Sequence, residues 1–145
     1  MIYFAYGSNL NIAQMAYRCP KAKPLEKAKL YGYRLTFQGV RKNSYGVANV
    51  VKASPENFVQ GGLWDITEEC LESLDIYEGF PNLYTRKKLW VARESSKTKV
   101  RAITYIMLPK YTHMAFPSLS YYSTIRQGYS DFGLNSGGLF CKVGI

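Results

Sequence analysis

Apolar and polar positions along the chain predict about six strands. Residues 2–6 form an uninterrupted β-branched and aromatic run, which is typical of a buried strand. Residues 28–37 alternate between apolar and polar side chains, the pattern of a half-buried strand. Four further strands are predicted at 47–52, 58–66, 83–92 and 100–108. Within 58–66, the pair Gly61 and Gly62 indicates either a bulge or a close approach of another part of the chain.

Three segments have apolar residues at helical spacing and follow good capping residues. The caps are Asn11 or Asn9 for the first helix, Thr67 for the second and Ser118 for the third. Because the strands cluster rather than alternate with helices, we expect an α+β fold built on a largely antiparallel, barrel-like sheet with flanking helices. The 145 residues are enough for one domain with a real core, which we place at 1–145.

The second predicted helix is amphipathic and ends at Gly79. Its predicted apolar stripe consists of Ile66, Cys70, Leu71, Leu74 and Tyr77, and its predicted solvent face of Glu68, Glu69, Glu72 and Asp75. Glu78 differs from the other acids, because it lies at the helix end between Tyr77 and Gly79-Phe80. Burial there would raise its pKa and make it a candidate general acid/base. The alternative is a glutamate at a helix end that points into water.

Composition excludes several classes of site. No apolar run is long enough to span a membrane, and the N-terminus lacks a signal-peptide pattern, so we expect no membrane partner and a cytoplasmic location. The three cysteines, at 19, 70 and 141, lack metal-site or CxxC spacing and are expected to be small buried apolar residues. The single histidine, His113, is expected at the surface. We therefore expect neither a metal nor another cofactor.

The chain carries a formal charge of +9, from 19 Lys and Arg against 10 Asp and Glu. This balance raises the possibility of nucleic-acid binding. However, no known nucleic-acid-binding signature is visible, and the basic residues are scattered outside the stretch between Lys52 and Arg86, which holds no Lys or Arg. The short run Arg86-Lys87-Lys88 is predicted to be a solvated strand start. Anionic small molecules would be attracted as well as polymers.

The loop Tyr6-Gly7-Ser8-Asn9-Leu10 joins the first strand to the first helix. Such a tight turn presents several backbone N–H groups near a helix N-terminus, where a carboxylate or a developing oxyanion can bind. The alternative is an ordinary strand-to-helix turn, because glycine-containing loops of this kind are common.

Several motifs occur together in a characteristic order. They are Tyr6-Gly7-Ser8-Asn9-Leu10, Arg18-Cys19-Pro20, Leu74-Asp75-Ile76-Tyr77-Glu78-Gly79, Tyr84, Tyr105, and Pro117-Ser118-Leu119-Ser120-Tyr121 with Ile125 and Gly128. Through them the chain resembles the γ-glutamylcyclotransferase, or AIG2-like, family over nearly its full length. The resemblance implies a mixed barrel-like sheet and an active site between the Tyr6–Leu10 loop and Glu78.

The resemblance also implies a reaction. In a γ-glutamyl amide, the substrate's own α-amine attacks the side-chain carbonyl, which gives 5-oxoproline and releases an amine. The implied roles are proton transfer for Glu78, anion binding by N–H groups of Gly7, Ser8, Asn9 and Leu10, and orientation of the glutamyl group by Tyr84, Tyr105 and Tyr121. Tyr6 belongs to the same substrate-binding set. This chemistry needs no protein nucleophile, metal or cofactor.

Two other functions stay open at this point. One is a domain of the same fold that binds a small ligand without turnover, although such a domain has no need of a desolvated acid. The other is a basic nucleic-acid-binding module, which a salt-dependent retention of DNA or RNA would reveal and which we do not expect. The sequence leaves the departing amine and the oligomeric state undefined.

Overall fold

A computed structural model describes residues 1–41, 43–111 and 113–139. The strands are β1 (Ile2–Ala5), β2 (Lys23–Tyr31), β3 (Tyr33–Gly39), β4 (Val47–Lys52), β5 (Phe58–Asp65), β6 (Tyr84–Arg93), β7 (Lys99–Met107) and β8 (His113–Met114). The helices are α1 (Ile12–Arg18), α2 (Glu68–Glu78) and α3 (Leu119–Asp131), and a single 3₁₀ turn (Ser8–Leu10) lies between β1 and α1. Cys141 lies outside the described residues.

Five strands close into a barrel in the order β1-β5-β2-β6-β7. Four of the five pairings are antiparallel, and β1 closes the barrel by pairing in parallel with β7 at Tyr3 and Ile103. The other three strands form a second sheet in the order β4-β3-β8. The expectation of an α+β fold with a largely antiparallel barrel is confirmed.

The prediction of one strand at 28–37 is wrong, because this segment is divided between β2 and β3, which belong to different sheets. Gly32 adopts a φ of +81° and turns the chain between β2 and β3. Only glycine enters this backbone region readily, so it can reverse the chain without interrupting the alternation of apolar and polar side chains. β2 also begins earlier than expected, at Lys23, within the polar segment 21–26, because its first residues are exposed on the outside of the barrel.

A further difference from the sequence prediction is a short strand that none of the six predicted strands includes. His113 and Met114 form the short strand β8, which pairs with Gly39 and Gln38 at the edge of the second sheet. His113 is exposed, as expected. Two residues give no readable alternation, so the sequence could not predict this strand.

The glycine pair on β5 lies where other parts of the chain approach closely. A side chain at Gly61 would overlap the Phe4 ring and the Ala5 carbonyl, and one at Gly62 would overlap the Phe132 ring. The close approach predicted from the glycine pair is therefore present. The register irregularity of this region lies on the neighbouring strand, between Pro24 and Glu26.

The three predicted helix starts are confirmed. The side chains of Asn11, Thr67 and Ser118 accept hydrogen bonds from the N–H groups three residues on, at 2.9, 3.1 and 3.2 Å. Gly79 ends α2 with a left-handed φ of +64°, which satisfies the last carbonyls of the helix. These caps fix α2 so that its last residue, Glu78, faces the loop after β1.

Two observations concern the described residues as a set. None of their helices is long and apolar enough to cross a membrane. They also contain no group of three or more His, Cys, Asp or Glu side chains placed to hold a metal ion. Cys19 and Cys70 are buried free thiols, and the Cys19 sulfur lies 3.6 Å from the Cys70 carbonyl oxygen.

Candidate active site

A cleft of about 150 Å³ lies between the Tyr6–Leu10 loop, the end of α2 and the start of α3. Its lining residues are Tyr3, Tyr6, Gly7, Ser8, Asn9, Arg18, Val47, Ala48, Tyr77, Glu78, Leu83, Tyr84, Tyr105 and Tyr121. The structure thus brings Glu78 together with all but one of the predicted substrate-binding residues. The exception is Leu10, whose side chain is fully buried in the core.

Asn9 connects the loop to Glu78. Its side-chain nitrogen donates to the Tyr3 hydroxyl at 3.0 Å and lies 3.5 Å from an oxygen of the Glu78 carboxyl. Its side-chain oxygen accepts a 2.7 Å hydrogen bond from Arg18. Because Asn9 is 2% exposed, these bonds form away from water and hold the amide in one orientation.

Among the residues that the structure describes, Arg18 is the one cation that lines this cleft. One guanidinium nitrogen donates to Ser8 at 3.2 Å and to Asn9 at 2.7 Å, and the guanidinium lies 4.3 Å from the centre of the Tyr77 ring. Tyr77 was predicted on the apolar stripe of α2, but its ring is half exposed and serves instead as a platform for Arg18.

Of the described residues that line the cleft, Glu78 is the one with a carboxyl group. Desolvation among the surrounding aromatic side chains raises its pKa from 4.5 to about 7, although the nearby Arg18 charge opposes this rise. A carboxyl group with this pKa exchanges protons readily near neutrality, so it suits general acid/base chemistry. The alternative of a glutamate pointing into bulk water does not describe this position.

The tyrosine hydroxyls of the cleft are bonded to protein groups. Tyr6 donates to the Tyr105 carbonyl (2.7 Å), Tyr84 to the Ala48 carbonyl (2.5 Å) and Tyr105 to Asp75 (2.6 Å), whereas Tyr121 accepts from the Ala48 N–H (3.0 Å). Desolvation is the main cause that raises the pKa of each of these tyrosines, so all four are neutral at physiological pH.

Asp75 does not lie on the solvent face of α2, where we predicted it. One oxygen of its carboxylate accepts a hydrogen bond from the Tyr105 hydroxyl group. The other oxygen forms an ion pair with Arg86 at 3.1 Å. Arg86 is half-buried and stacks 4.3 Å from the centre of the Phe80 ring. The expectation of a solvated basic run is confirmed for Lys87 and Lys88, which are exposed, and is wrong for Arg86, which forms an ion pair with Asp75 of α2.

The backbone of the loop is tightly turned. The Leu10 N–H donates to the Gly7 carbonyl and the Asn11 N–H donates to the Ser8 carbonyl, both at 3.0 Å. Leu10 therefore cannot offer its N–H to a ligand, contrary to the role implied for it. Ser8 and Asn9 begin the 3₁₀ turn, so their N–H groups have no partner within it and can face an anion.

Sequence reasoning left three residues of this region without a site role. Tyr3 lies in an uninterrupted apolar run, in which neither face of the strand is distinguished. Arg18 was identified only as part of the motif Arg18-Cys19-Pro20, to which no role was assigned. Asp75 follows the spacing of the exposed acids on α2, and nothing local distinguishes it from them. Their contacts depend on the barrel register, which no local pattern reveals.

A match to a family model shows which family this chain belongs to. The family model described as "Gamma-glutamyl cyclotransferase, AIG2-like" matches residues 3–123. The chain belongs to this family. Two proteins named γ-glutamylcyclotransferase, one from human and one from cattle, are 32% and 31% identical to this chain over 139 residues. The matched residues cover 92% of this chain and 72% of each relative. A solved structure of a γ-glutamyl cyclotransferase superposes with a TM-score of 0.79 and 29% identity, covering 92% of this chain and 80% of that one.

Membership of the γ-glutamylcyclotransferase family makes the chain an enzyme of the cyclotransferase class. The cleft is the place where its residues can support such chemistry, because it combines a raised-pKa carboxyl group with a turn that offers N–H donors. The individual roles of Glu78 and its neighbours stay predictions.

Proposed function

We propose that the chain cyclises small γ-glutamyl compounds, releasing 5-oxoproline and a free amine or amino acid. The observation that carries this proposal is the position of Glu78, whose carboxyl group has a pKa raised to about 7 and faces the Tyr6–Asn9 turn across the cleft. We still expect the chain to form one domain and to be located in the cytoplasm.

The first step is removal of a proton from the substrate's α-ammonium group by the Glu78 carboxylate. An ordinary glutamate, with a pKa of about 4.3, is a poor base for an α-ammonium of pKa about 8. Each pKa unit of mismatch costs about 1.4 kcal/mol. Raising the pKa of Glu78 to about 7 therefore removes most of this cost.

The freed amine then attacks the γ-carbonyl carbon. The new C–N bond closes a five-membered ring, and the carbonyl oxygen takes the negative charge of the tetrahedral intermediate. Because nucleophile and carbonyl belong to one molecule, correct folding of the substrate can supply roughly 7–11 kcal/mol of the barrier. The main task of the protein is to hold that folded conformer.

The Ser8 and Asn9 N–H groups are the donors we assign to the substrate's negative charge, either its α-carboxylate or the oxyanion. Arg18 lines the cleft beside this turn and is bonded to the Ser8 and Asn9 side chains, so it adds positive charge at the same place. The loop holds and polarises the substrate, while Glu78 moves the proton.

The last step breaks the bond between the carbonyl carbon and the leaving nitrogen. Glu78, now protonated, delivers its proton to that nitrogen, and the carbonyl reforms in the lactam ring. The ring nitrogen still carries one proton too many after the attack, and the Glu78 carboxylate takes this proton as well and passes it to the released amine. The amine leaves as an ammonium ion, the lactam nitrogen keeps one hydrogen, and Glu78 returns to its carboxylate form.

The proposal is tested by incubating the chain with a panel of γ-glutamyl compounds and measuring 5-oxoproline. The panel holds glutathione, γ-glutamyl amino acids and γ-glutamyl-ε-lysine, which share the glutamyl half and differ in the departing half. We expect 5-oxoproline from at least one of them. Saturable binding of the panel without any 5-oxoproline would overturn the proposal and favour a ligand-binding domain.

A further inference from the structure

The strands β2, β6 and β7 bring basic side chains together on the outside of the barrel around Trp90. Directly paired residues of neighbouring strands point to the same face of a sheet, and so do residues two positions apart on one strand. Lys29 pairs with Ala92, which pairs on its other side with Lys99. Two positions along, Trp90 pairs with Arg101. Trp90 and Arg101 are exposed, so all five side chains lie on the outer face.

This outer face is positively charged. Its positions are alternate residues of 27–31 on β2, 86–92 on β6 and 99–105 on β7, and none of them is Asp or Glu. Four of its cations form no ion pair with a residue that the structure describes, namely Lys29, Lys88, Lys99 and Arg101. Arg86, at the end of the face, is neutralised by Asp75 at 3.1 Å. The four cations are dispersed in the sequence, and the strand register makes them neighbours.

Exposed aromatic rings lie among these cations. Trp90 is 60% exposed, and Tyr31 and Phe58 are 45% and 43% exposed. Tyr31 lies two positions after Lys29 on β2 and pairs with Phe58 on β5, so both rings share the outer face. A group of exposed large apolar side chains with polar neighbours marks an interaction site. The face therefore offers a partner both rings and positive charge.

Two of these rings each have a cation beside them. The Lys29 nitrogen lies 4.6 Å from the centre of the Phe58 ring, and the Arg101 guanidinium lies 5.8 Å from the centre of the Trp90 ring. A nucleotide carries the two complementary groups, because its base stacks on an aromatic ring and its phosphate binds a cation. A duplex keeps its bases stacked on one another, so such rings are available only to unpaired bases.

We infer that this surface, which we call the Trp90 face, binds single-stranded nucleic acid. It is defined by Lys29, Phe58, Lys88, Trp90, Lys99 and Arg101. The cations bind phosphates, and the rings stack bases without regard to sequence. The binding differs from our expectation from the sequence, where no cluster of these residues is visible. It is separate from the proposed cyclisation, because the Trp90 face and the cleft share no residue.

An anionic membrane surface is the competing partner for a basic face with aromatic rings. Membrane-bound segments present a continuous apolar surface that sinks into the boundary between headgroups and acyl chains. On the Trp90 face, by contrast, cations lie between and beside the rings within a sheet. Little apolar area could enter lipid without also burying these charges, so the face fits a nucleic acid better.

The test measures binding of the full chain to a fluorescently labelled oligouridylate of about 12 nucleotides, by anisotropy over a series of salt concentrations. We expect saturable binding with a slope of log affinity against log salt of about −2 to −3, since each of four neutralised phosphates contributes about −0.7. The same strand paired with oligoadenylate should bind at least about fivefold more weakly. Absence of saturable binding, or equally tight binding of the duplex, would overturn the inference.

Variants assign the binding to the Trp90 face. Trp90→Ala should weaken binding about 5-fold to 100-fold without changing the salt slope, and Trp90→Phe, which keeps a ring, should retain most of the affinity. Arg101→Gln should make the salt slope shallower by about 0.7. The matched controls are Tyr17→Ala, an exposed ring of α1, and Lys52→Gln, an exposed cation of β4, and both should bind as the wild type does. Wild-type affinity in folded Trp90→Ala would contradict the inference.

Phosphatidylserine vesicles distinguish the two partners. Added to the oligonucleotide complex at equal phosphate concentration, they should leave most of the label bound to the chain. Full displacement of the oligonucleotide would overturn the inference and indicate a membrane-binding face. Trp90→Ala should form 5-oxoproline at the wild-type rate, because Trp90 does not line the cleft. Loss of turnover together with loss of binding would show that the variant disturbs the fold, and Trp90→Phe and Arg101→Gln then decide whether the face binds.

Discussion

The side-chain nitrogen of Asn9 lies 3.5 Å from a carboxylate oxygen of Glu78, although the two residues are 69 positions apart. Arg18 fixes the other end of the same amide at 2.7 Å. The loop after β1 and the end of α2 therefore meet through one side chain, and the geometry of the cleft depends on it.

Replacing Asn9 tests this dependence. Asn9→Ala removes the bonds to Arg18, Tyr3 and Glu78 together, so we expect 5-oxoproline formation to fall between about tenfold and 100-fold, as for a small misplacement of reacting groups. The matched control is Ser8→Ala, which loses only the 3.2 Å contact with Arg18 and should have a smaller effect. Equal effects of the two substitutions on kcat/KM would contradict this role of Asn9.

The pH dependence of kcat/KM should follow the titration of the Glu78 carboxyl group. The carboxylate form is the base, so kcat/KM should rise with pH through an apparent pKa of about 7. Because the Arg18 charge lowers the pKa of Glu78, Arg18→Gln should move this acidic limb to higher pH. Lys21→Gln, which removes an exposed cation, is the control and should leave the limb in place. A limb that moves to lower pH in Arg18→Gln would show that another group titrates.

The raised pKa of Glu78 should lower the free energy of unfolding as pH rises. Between pH 4.5 and about 7 the folded chain holds a proton on Glu78 that the unfolded chain releases, so this group makes the fold less stable as pH rises. The loss amounts to at most about 3 kcal/mol above pH 7. Glu78→Gln lacks it, so urea unfolding should show the variant gaining stability relative to the wild type from pH 5 to pH 8. A constant difference between the two proteins would contradict the shifted pKa.

The loop is also held from the side of α3. A side chain at Gly128 would lie 2.6 Å from the Leu10 side chain and from the Asn11 nitrogen, closer than van der Waals contact allows. Gly128→Ala should therefore destabilise the fold by about 1–3 kcal/mol and displace the loop, with a loss of turnover. Gly138→Ala, where nothing lies within 4 Å, is the control for urea unfolding and activity. Wild-type stability of Gly128→Ala would contradict this packing.

Local signals predicted the parts of the fold that depend on neighbouring residues. The caps at Asn11, Thr67 and Ser118 and the stop at Gly79 are chosen by side chains within a few positions, and the structure has them all. The turn at Gly32 escaped prediction because alternation continues on both sides of it.

The candidate site was predictable only in part. The motif residues identified one turn and one glutamate, and the structure places both at one cleft. The bond from Tyr105 to Asp75 and the ion pair from Asp75 to Arg86 were not visible, because the register of β6 with β7 and the packing of α2 decide them. A charge on a helix face has the same sequence pattern whether it meets water or a buried partner.

The most direct test of the central claim compares Glu78→Gln with Glu72→Gln in single-turnover formation of 5-oxoproline. Glutamine has nearly the shape of glutamate but accepts no proton, so we expect Glu78→Gln to lose about 100-fold to 10,000-fold in rate while still binding substrate. Glu72→Gln changes an exposed glutamate of the same helix and should keep the wild-type rate. A near-wild-type rate in folded Glu78→Gln would contradict the proton-transfer role on which the account rests.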